Sequence, residues 1–222
     1  MIIIPSVLER EIVSLDKCLR RLLRFYHHFQ IDIADGHFVP NKTLQISHYA
    51  AWLSNEGNSV NPVIFDFHLM VSDPEIQIEL IEKLPKNNVG IVLIHKSVFP
   101  PLQPLIAKHP NILFGLVLNP EDEVVATDSE LLKALPIIQI MTVTPGKQGQ
   151  PFIENVLQKI EQLRKRGFQG KIYIDGAINR ETLPLIMSHI NKPDVLCPGS
   201  YLVQSPEDEL QMRVDFLKAS SS

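Results

Sequence analysis

Phe29-Gln30-Ile31-Asp32-Ile33-Ala34-Asp35-Gly36 reads as a short strand that runs out into acid and glycine. Apolar Ile31 and Ile33 alternate with polar Gln30 and Asp32, the period of two that a pleated strand imposes on its side chains. Gln30 and Asp32 therefore share one face, while Ile31 and Ile33 share the other. If the polar face looks into a barrel, Asp32 points at its mouth and the isoleucines pack outward on helices. Asp35 before Gly36 reads as a turn residue that bonds its own backbone.

Comparable runs recur along the chain, at Ile2–Ile4, Val63–Phe67, Gly90–Ile94, Ile112–Leu118, Ile137–Met141, Lys171–Ile174 and Asp194–Cys197. They lie roughly 25–35 residues apart, the spacing left when each strand is followed by a crossover helix. The intervening segments carry helix signals. Ser72-Asp73-Pro74-Glu75 sets a capping residue before proline at the first helical position. Asn119-Pro120-Glu121-Asp122 and Ser205-Pro206-Glu207-Asp208 repeat the device, with acids where the helix dipole favours them. From Glu154 to Arg166, apolar Val156, Leu157, Ile160 and Leu163 fall at helical spacing, and Gly167 stops the run. Strands apolar on both faces belong to parallel sheets covered by helices.

Eight such units in 222 residues favour one closed (β/α)8 TIM barrel over residues 1–219, with Ser220–Ser222 as a disordered tail. An open doubly wound sheet would show a glycine-rich dinucleotide turn after its first strand. Pro5-Ser6-Val7-Leu8 stands there instead. With 45% hydrophobic and 21% charged residues, the composition is that of a soluble globular protein. A formal charge of −4 argues against nucleic acid as a partner, yet a local site would still hold a small anion. Met1-Ile2-Ile3-Ile4-Pro5-Ser6 has no basic leader and no run approaches a membrane span, so neither secretion nor a membrane is expected. Cys18 and Cys197 lie far apart without metal-type spacing, as in a reduced, cytoplasmic protein.

Barrel chemistry gathers where strands end on their carboxyl side. Read to their last residues, the runs finish at Ser6, Asp32 and Asp35, His68, His95, Asn119, Thr142 and Thr144, Asp175, and Gly199 with Ser200. Turn formers alone do not require this convergence of acid and imidazole. Carboxylates from the second and seventh strands suit a reaction in which one removes a proton from a carbon and the other returns a proton to the opposite face. That carbon must neighbour a carbonyl, and the enediolate needs charge stabilisation, which a divalent metal on Asp32, His68 and Asp175 would supply. Thr144-Pro145-Gly146-Lys147-Gln148-Gly149-Gln150, Asp175-Gly176-Ala177 and Pro198-Gly199-Ser200 look suited to a phosphate, the last two as helix openings.

At these residues the chain resembles the ribulose-phosphate 3-epimerase family along nearly its whole length. The resemblance is carried by Pro5-Ser6-Val7-Leu8, Ile31-Asp32-Ile33-Ala34-Asp35-Gly36-His37-Phe38-Val39-Pro40-Asn41, Phe67-His68-Leu69-Met70-Val71, Gly115–Pro120, Met141-Thr142-Val143-Thr144-Pro145-Gly146, Gly149–Ile153, Ile174-Asp175-Gly176 and Gly199-Ser200. It implies a barrel enzyme of the pentose phosphate pathway that epimerises C3 of a ketose phosphate, D-ribulose 5-phosphate to D-xylulose 5-phosphate in the commonest case. Asp32 and Asp175 match the family's acid/base aspartates, which with His68 ligate a divalent metal (zinc, iron or manganese). Ser6, His68, Met70 and Met141 match residues lining the substrate, and Gly146, Gly149, Gly176, Ala177, Gly199 and Ser200 fall on the phosphate turns. Dimers or higher assemblies are implied as well.

The departures are specific. Gln30 stands where the family has a metal-ligand histidine; Ala34 replaces a methionine, Lys147-Gln148 replace Phe-Gly, and Ala177 replaces a second glycine. His28 has inward parity but lies ~7 Å down the strand, so His27 and His28 read as part of the helix-to-strand connection. Two alternatives stay open: a non-catalytic binder of sugar phosphates, and an epimerase of another ketose phosphate such as a hexulose 6-phosphate. Barrels that decarboxylate such compounds carry Asp-x-Lys-x-x-Asp, which Asp66-Phe67-His68 does not match.

Overall fold

The structure, a computed structural model, describes residues 1–56, 62–146 and 149–220. Its strands are β1 (Ile2–Ile3), β2 (Ser6–Val7), β3 (His28–Ala34), β4 (Ile64–Met70), β5 (Val89–His95), β6 (Leu113–Leu118), β7 (Ile137–Met141), β8 (Lys171–Asp175) and β9 (Val195–Cys197). All pair in parallel, in the order β1-β9-β8-β7-β6-β5-β4-β3-β2. The two ends of that order are consecutive pieces of one expected strand, split at Ile4-Pro5. Ile4 N donates to Leu196 O at 2.9 Å on one side, and Pro5 O accepts from Gln30 N at 2.9 Å on the other. Proline lacks the N–H that would continue a ladder, so the strand divides there while its carbonyl closes the barrel.

The helices are α1 (Ile12–Leu22), α2 (Ile46–Glu56), α3 (Pro74–Ile81), α4 (Leu102–Lys108), α5 (Ser129–Ala134), α6 (Gln158–Lys165), α7 (Thr182–Ser188), α8 (Ser200–Val203) and α9 (Glu207–Ser220). They cover the outer faces of the strands, where Ile31, Ile33, Phe67, Leu69, Ile138, Ile140 and Ile174 are fully buried in the main core. A second, separate core fills the barrel with Ile4, Ile91, Leu93, Val117, Ile137, Met141, Tyr173, Val195 and Cys197. Strand alternation thus produces two apolar layers, with inward polar residues such as Gln30, Asp66 and Gln139 interrupting the inner one.

Several local expectations need correction. Asn119-Pro120-Glu121-Asp122 opens no helix: Asp122 N donates to Asn119 O at 3.1 Å, and Asp122 Oδ2 accepts from Asn119 N at 2.7 Å, closing a turn. The buried ammonium of Lys159 fixes that turn, donating to the carbonyls of Asn119 (2.5 Å), Pro120 (2.9 Å) and Asp122 (2.5 Å). Carbonyls claimed by a buried cation, whose loss would leave a charge unpaired, are not free to start a helix. The following helix, α5, is capped instead by Asp128, whose side chain accepts from Glu130 N at 2.7 Å. His28 begins β3 rather than belonging to the connection, because its inward side chain finds Asp66 at 2.9 Å on β4. Thr182, not Ala177, starts the helix after β8. Ser220, expected in a disordered tail, closes α9; Ser221 and Ser222 lie outside the described residues.

Candidate active site

Three strands deliver the central side chains. Asp32 lies on β3 beside His68 on β4, and Asp175 is the last residue of β8, next to Met141 on β7. Each is inward because its neighbours in sequence are committed outward: Ile31, Ile33, Phe67, Leu69 and Ile174 are all fully buried against the helices. The apolar outer face therefore aims the polar inner one.

The three groups converge in a buried network. His68 Nδ1 lies 3.1 Å from Asp32 Oδ1 and 3.6 Å from Asp175 Oδ2. Ser6 Oγ donates to Asp32 Oδ2 at 2.8 Å. The amide nitrogen of Gln30 donates to Asp32 Oδ1 at 3.1 Å and to Asp175 Oδ2 at 2.7 Å. Gln139 Nε2, from β7, donates to the same Asp175 oxygen at 3.1 Å. On the other side of the imidazole, His68 Nε2 meets His95 Nε2 at 2.8 Å, and the Phe38 ring packs on His95 with centroids 4.8 Å apart.

Electrostatics follow from this burial. Loss of solvation and then the neighbouring Asp32 charge push Asp175 up to about 7. Burial would lower the His68 imidazole, but its hydrogen bond to Asp32 and the charges of both aspartates outweigh that and raise it. Burial, reinforced by His68, drives His95 well down. His68 is thus the imidazole that favours charge, and His95 the neutral one that orients it.

The twelve residues that the family resemblance assigns to the site all line one pocket at the barrel mouth, whereas the other strand-end candidates Asp35, His95, Asn119, Thr142 and Thr144 do not. Ser6, Asp32, His68, Met70, Met141 and Asp175 form its floor and walls, while Gly146, Gly149, Gly176, Ala177, Gly199 and Ser200 rim one side. Leu8, Val143, Pro145 and Gln150 complete the lining. Lys147 and Gln148, within the stretch read as suited to a phosphate, lie outside the described residues. The rim requires left-handed backbone: Gly146 has φ 101° and a Cβ there would sit 2.6 Å from Val39 Cβ. Gly176 has φ 117°, and a Cβ would meet Val143 Cγ2 at 2.5 Å. Thr142 Oγ1 holds this turn by donating towards the carbonyls of Asp175 (3.0 Å) and Gly176 (2.5 Å).

Sequence reading overlooks Gln139, although its inward parity with Met141 was a usable signal; His95 was among the strand-end candidates, but its contact with His68 on the neighbouring strand left no trace in the sequence. Asp32, His68 and Asp175 each offer one ligand atom, all within 4.8 Å of one another. Two carboxylate oxygens and one imidazole nitrogen suit a divalent cation, and the buried Gln30 Oε1 has no hydrogen-bond partner among the described residues. By donor chemistry the residues fit a metal ion.

The profile of the ribulose-phosphate 3 epimerase family matches residues 2–203. The ribulose-phosphate 3-epimerase of Bacillus subtilis is 30% identical over 191 residues, covering 82% of this chain and 84% of its own. That of Treponema pallidum is 32% identical over 206 residues and 88% of each chain. The Schizosaccharomyces pombe enzyme is 27% identical over 224 residues, 99% of this chain and 96% of its own. Among solved structures, the 3-hexulose-6-phosphate synthase from Salmonella typhimurium superposes with a TM-score of 0.66 at 14% identity, covering 99% of this chain and all of that one. A tryptophan synthase alpha-subunit from Pyrococcus furiosus gives 0.58 at 15% identity, covering 98% and 95%. These distant structures speak for the (β/α)8 barrel alone. With its profile matched from residue 2 to residue 203, the chain belongs to the ribulose-phosphate 3-epimerase family, a family of isomerases.

Proposed function

We propose that this chain interconverts D-ribulose 5-phosphate and D-xylulose 5-phosphate by moving a proton at C3 between Asp32 and Asp175. The observation that carries this reading is the carboxylate pair itself: two buried acids from opposite parts of the barrel, tied into one network at the mouth by Gln30. One carboxylate takes the C3 proton from one face of the carbon, and the other gives a proton to the opposite face. Asp175 directs Oδ2 to Gln30 and Gln139, so Oδ1 is the oxygen we assign to the proton. Ser6, bonded to Asp32 Oδ2, fixes that carboxylate and offers its hydroxyl to the substrate. Met70 and Met141 give the reacting carbon soft, dry walls that exclude water.

The turns at Gly146, Gly149, Gly176, Ala177, Gly199 and Ser200 bind the phosphate through backbone N–H groups, anchoring the sugar so that C3 falls between the aspartates. Asp32, His68 and Asp175 would hold a zinc, iron or manganese ion, whose charge stabilises the oxyanion that develops on the substrate. His95 keeps the His68 ring aligned for that purpose.

In deuterated water, ribulose 5-phosphate mixed with the protein should gain deuterium at C3 in both epimers. No exchange after addition of zinc, ferrous iron or manganese sinks the proposal. Gln30 favours one other reading, since its N–H groups occupy the faces of both carboxylates. A protein that sugar phosphates stabilise against heat, without any C3 exchange, is a binder rather than an epimerase. Deuterium entering a hexulose 6-phosphate instead moves the assignment to that substrate.

A further inference from the structure

The end of the Gln30 side chain completes a four-cornered figure. From its terminal nitrogen, Asp175 Oδ2 lies at 2.7 Å, Asp32 Oδ1 at 3.1 Å and His68 Nδ1 at 3.5 Å. From His68 Nδ1, the two carboxylate oxygens lie at 3.1 and 3.6 Å. A cation with ligands at ~2.1 Å sets neighbouring ligand atoms roughly 3.0 Å apart in an octahedron and roughly 3.4 Å apart in a tetrahedron. Gln30 therefore ends at a ligand corner, not at the centre of the site.

A terminal amide is planar, and its nitrogen and oxygen exchange places by a half-turn of the last torsion without changing shape. With nitrogen at the corner, the N–H groups serve two buried carboxylates, and Oε1 is left buried with no partner among the described residues. An unpaired buried oxygen is costly, and binding a cation would give it a partner. When a cation sits among the carboxylates, its charge repels the N–H dipole and attracts the oxygen. Gln139 continues to donate to Asp175 Oδ2 in either state.

We propose that Gln30 is a fourth protein ligand of the Asp32–His68–Asp175 centre, through Oε1 after this half-turn, and that the resulting donor set of three oxygens and one nitrogen shifts the site from zinc toward manganese(II). Amide and carboxylate oxygens suit manganese, whereas a second imidazole would favour zinc. The inference rests on the reading of Asp32, His68 and Asp175 as metal ligands.

Manganese(II) is titrated into chelator-stripped protein with no substrate present, by calorimetry and by loss of the free-ion resonance signal. One ion binds per chain. Gln30→Met, similar in length but without a donor oxygen, weakens manganese binding at least tenfold, and Gln30→Glu restores or tightens it. Gln30→His raises the zinc-to-manganese affinity ratio at least tenfold. Wild-type protein that takes up no manganese, or a folded Gln30→Met protein that binds it as tightly as wild type, overturns the inference. Should Gln30→Met not fold, an unchanged zinc-to-manganese ratio in Gln30→Glu and Gln30→His overturns it equally. Manganese binding that depends on Gln30, found without any C3 exchange, supports the ligand role while sinking the epimerase reading.

Discussion

The same two strands carry a histidine–aspartate contact at each end of the barrel, and the two contacts differ in kind. At the mouth, Asp32 on β3 meets His68 on β4 at 3.1 Å; at the floor, His28 on β3 meets Asp66 on β4 at 2.9 Å. The mouth pair is sealed and joined by a second carboxylate, two amides and a second imidazole. The floor pair has a 34%-exposed histidine, and its aspartate serves the backbone: Asp66 Oδ1 accepts from Ile91 N at 2.9 Å. That bond falls where the β4–β5 register slips between Phe65 and Phe67, and Gly90 leaves room for it, since a Cβ there would lie 2.0 Å from Asp66 Oδ1. Equal residue types thus join a convergent buried cluster at one end, and at the other let one carboxylate repair a ladder.

The sharpest way to break this comparison is to neutralise one acid at each end. Asp175→Asn removes one of the two proposed proton carriers while keeping the hydrogen bonds from Gln30 and Gln139 within reach. C3 exchange should fall by about 10²–10⁴-fold, with no loss of melting temperature. Asp66→Asn should do the reverse, lowering stability by about 1–3 kcal/mol through the weakened Ile91 bond while exchange per folded molecule stays near wild type. Measuring both quantities on both variants decides the matter; a stability loss in Asp175→Asn with intact exchange would invert the assignment of the two ends.

A milder probe is pH, read on chelator-treated protein. Asp175 is raised from 3.8 to about 7 by burial and by Asp32, so the folded chain holds its proton more tightly than the unfolded chain does. That stabilisation is fully present below the unfolded value and is lost as pH rises through about 7. His68, also raised, has the same sign, and its contribution disappears as pH rises through its folded value. Wild-type stability should therefore fall by about 1–3 kcal/mol between about pH 5 and pH 8. In Asp175→Asn the larger part of that slope should vanish; a slope that persists unchanged would place its origin outside the mouth.

The barrel was legible because its signal is local. Alternation at Phe29–Ile33 and its recurrence need no knowledge of distant residues, and the strand-end acids follow from the same parity. What escaped depends on long-range partners. Asn119-Pro120-Glu121-Asp122 has the chemistry of a helix start, yet Lys159 on α6 claims its carbonyls. His28 looks like a linker residue until Asp66 on the next strand gives it a partner. Gln139 lies between isoleucines in an apolar run, and only the approach of β8 brings its amide to Asp175. Local propensity sets the elements, while buried polar pairing across strands decides which polar residues matter.

The smallest effect is expected at Ala177, a side chain in the left-handed region at φ 51°, directly after Gly176 on the rim of the pocket. An L-residue there costs about 1–2 kcal/mol. Glycine would relieve that strain but adds about 0.5–1 kcal/mol of unfolded-state entropy. It also removes a half-buried methyl that packs on the inner core, at most about 0.8 kcal/mol if fully buried. These terms nearly cancel, and the strain term is the largest, so Ala177→Gly should gain a few tenths of a kcal/mol in denaturant titration. At the floor, Gly90→Ala meets Asp66 and Ile64 directly and should destabilise by a clearly larger amount. A loss above about 1 kcal/mol in Ala177→Gly would show that the methyl contact, rather than backbone freedom, shapes the rim.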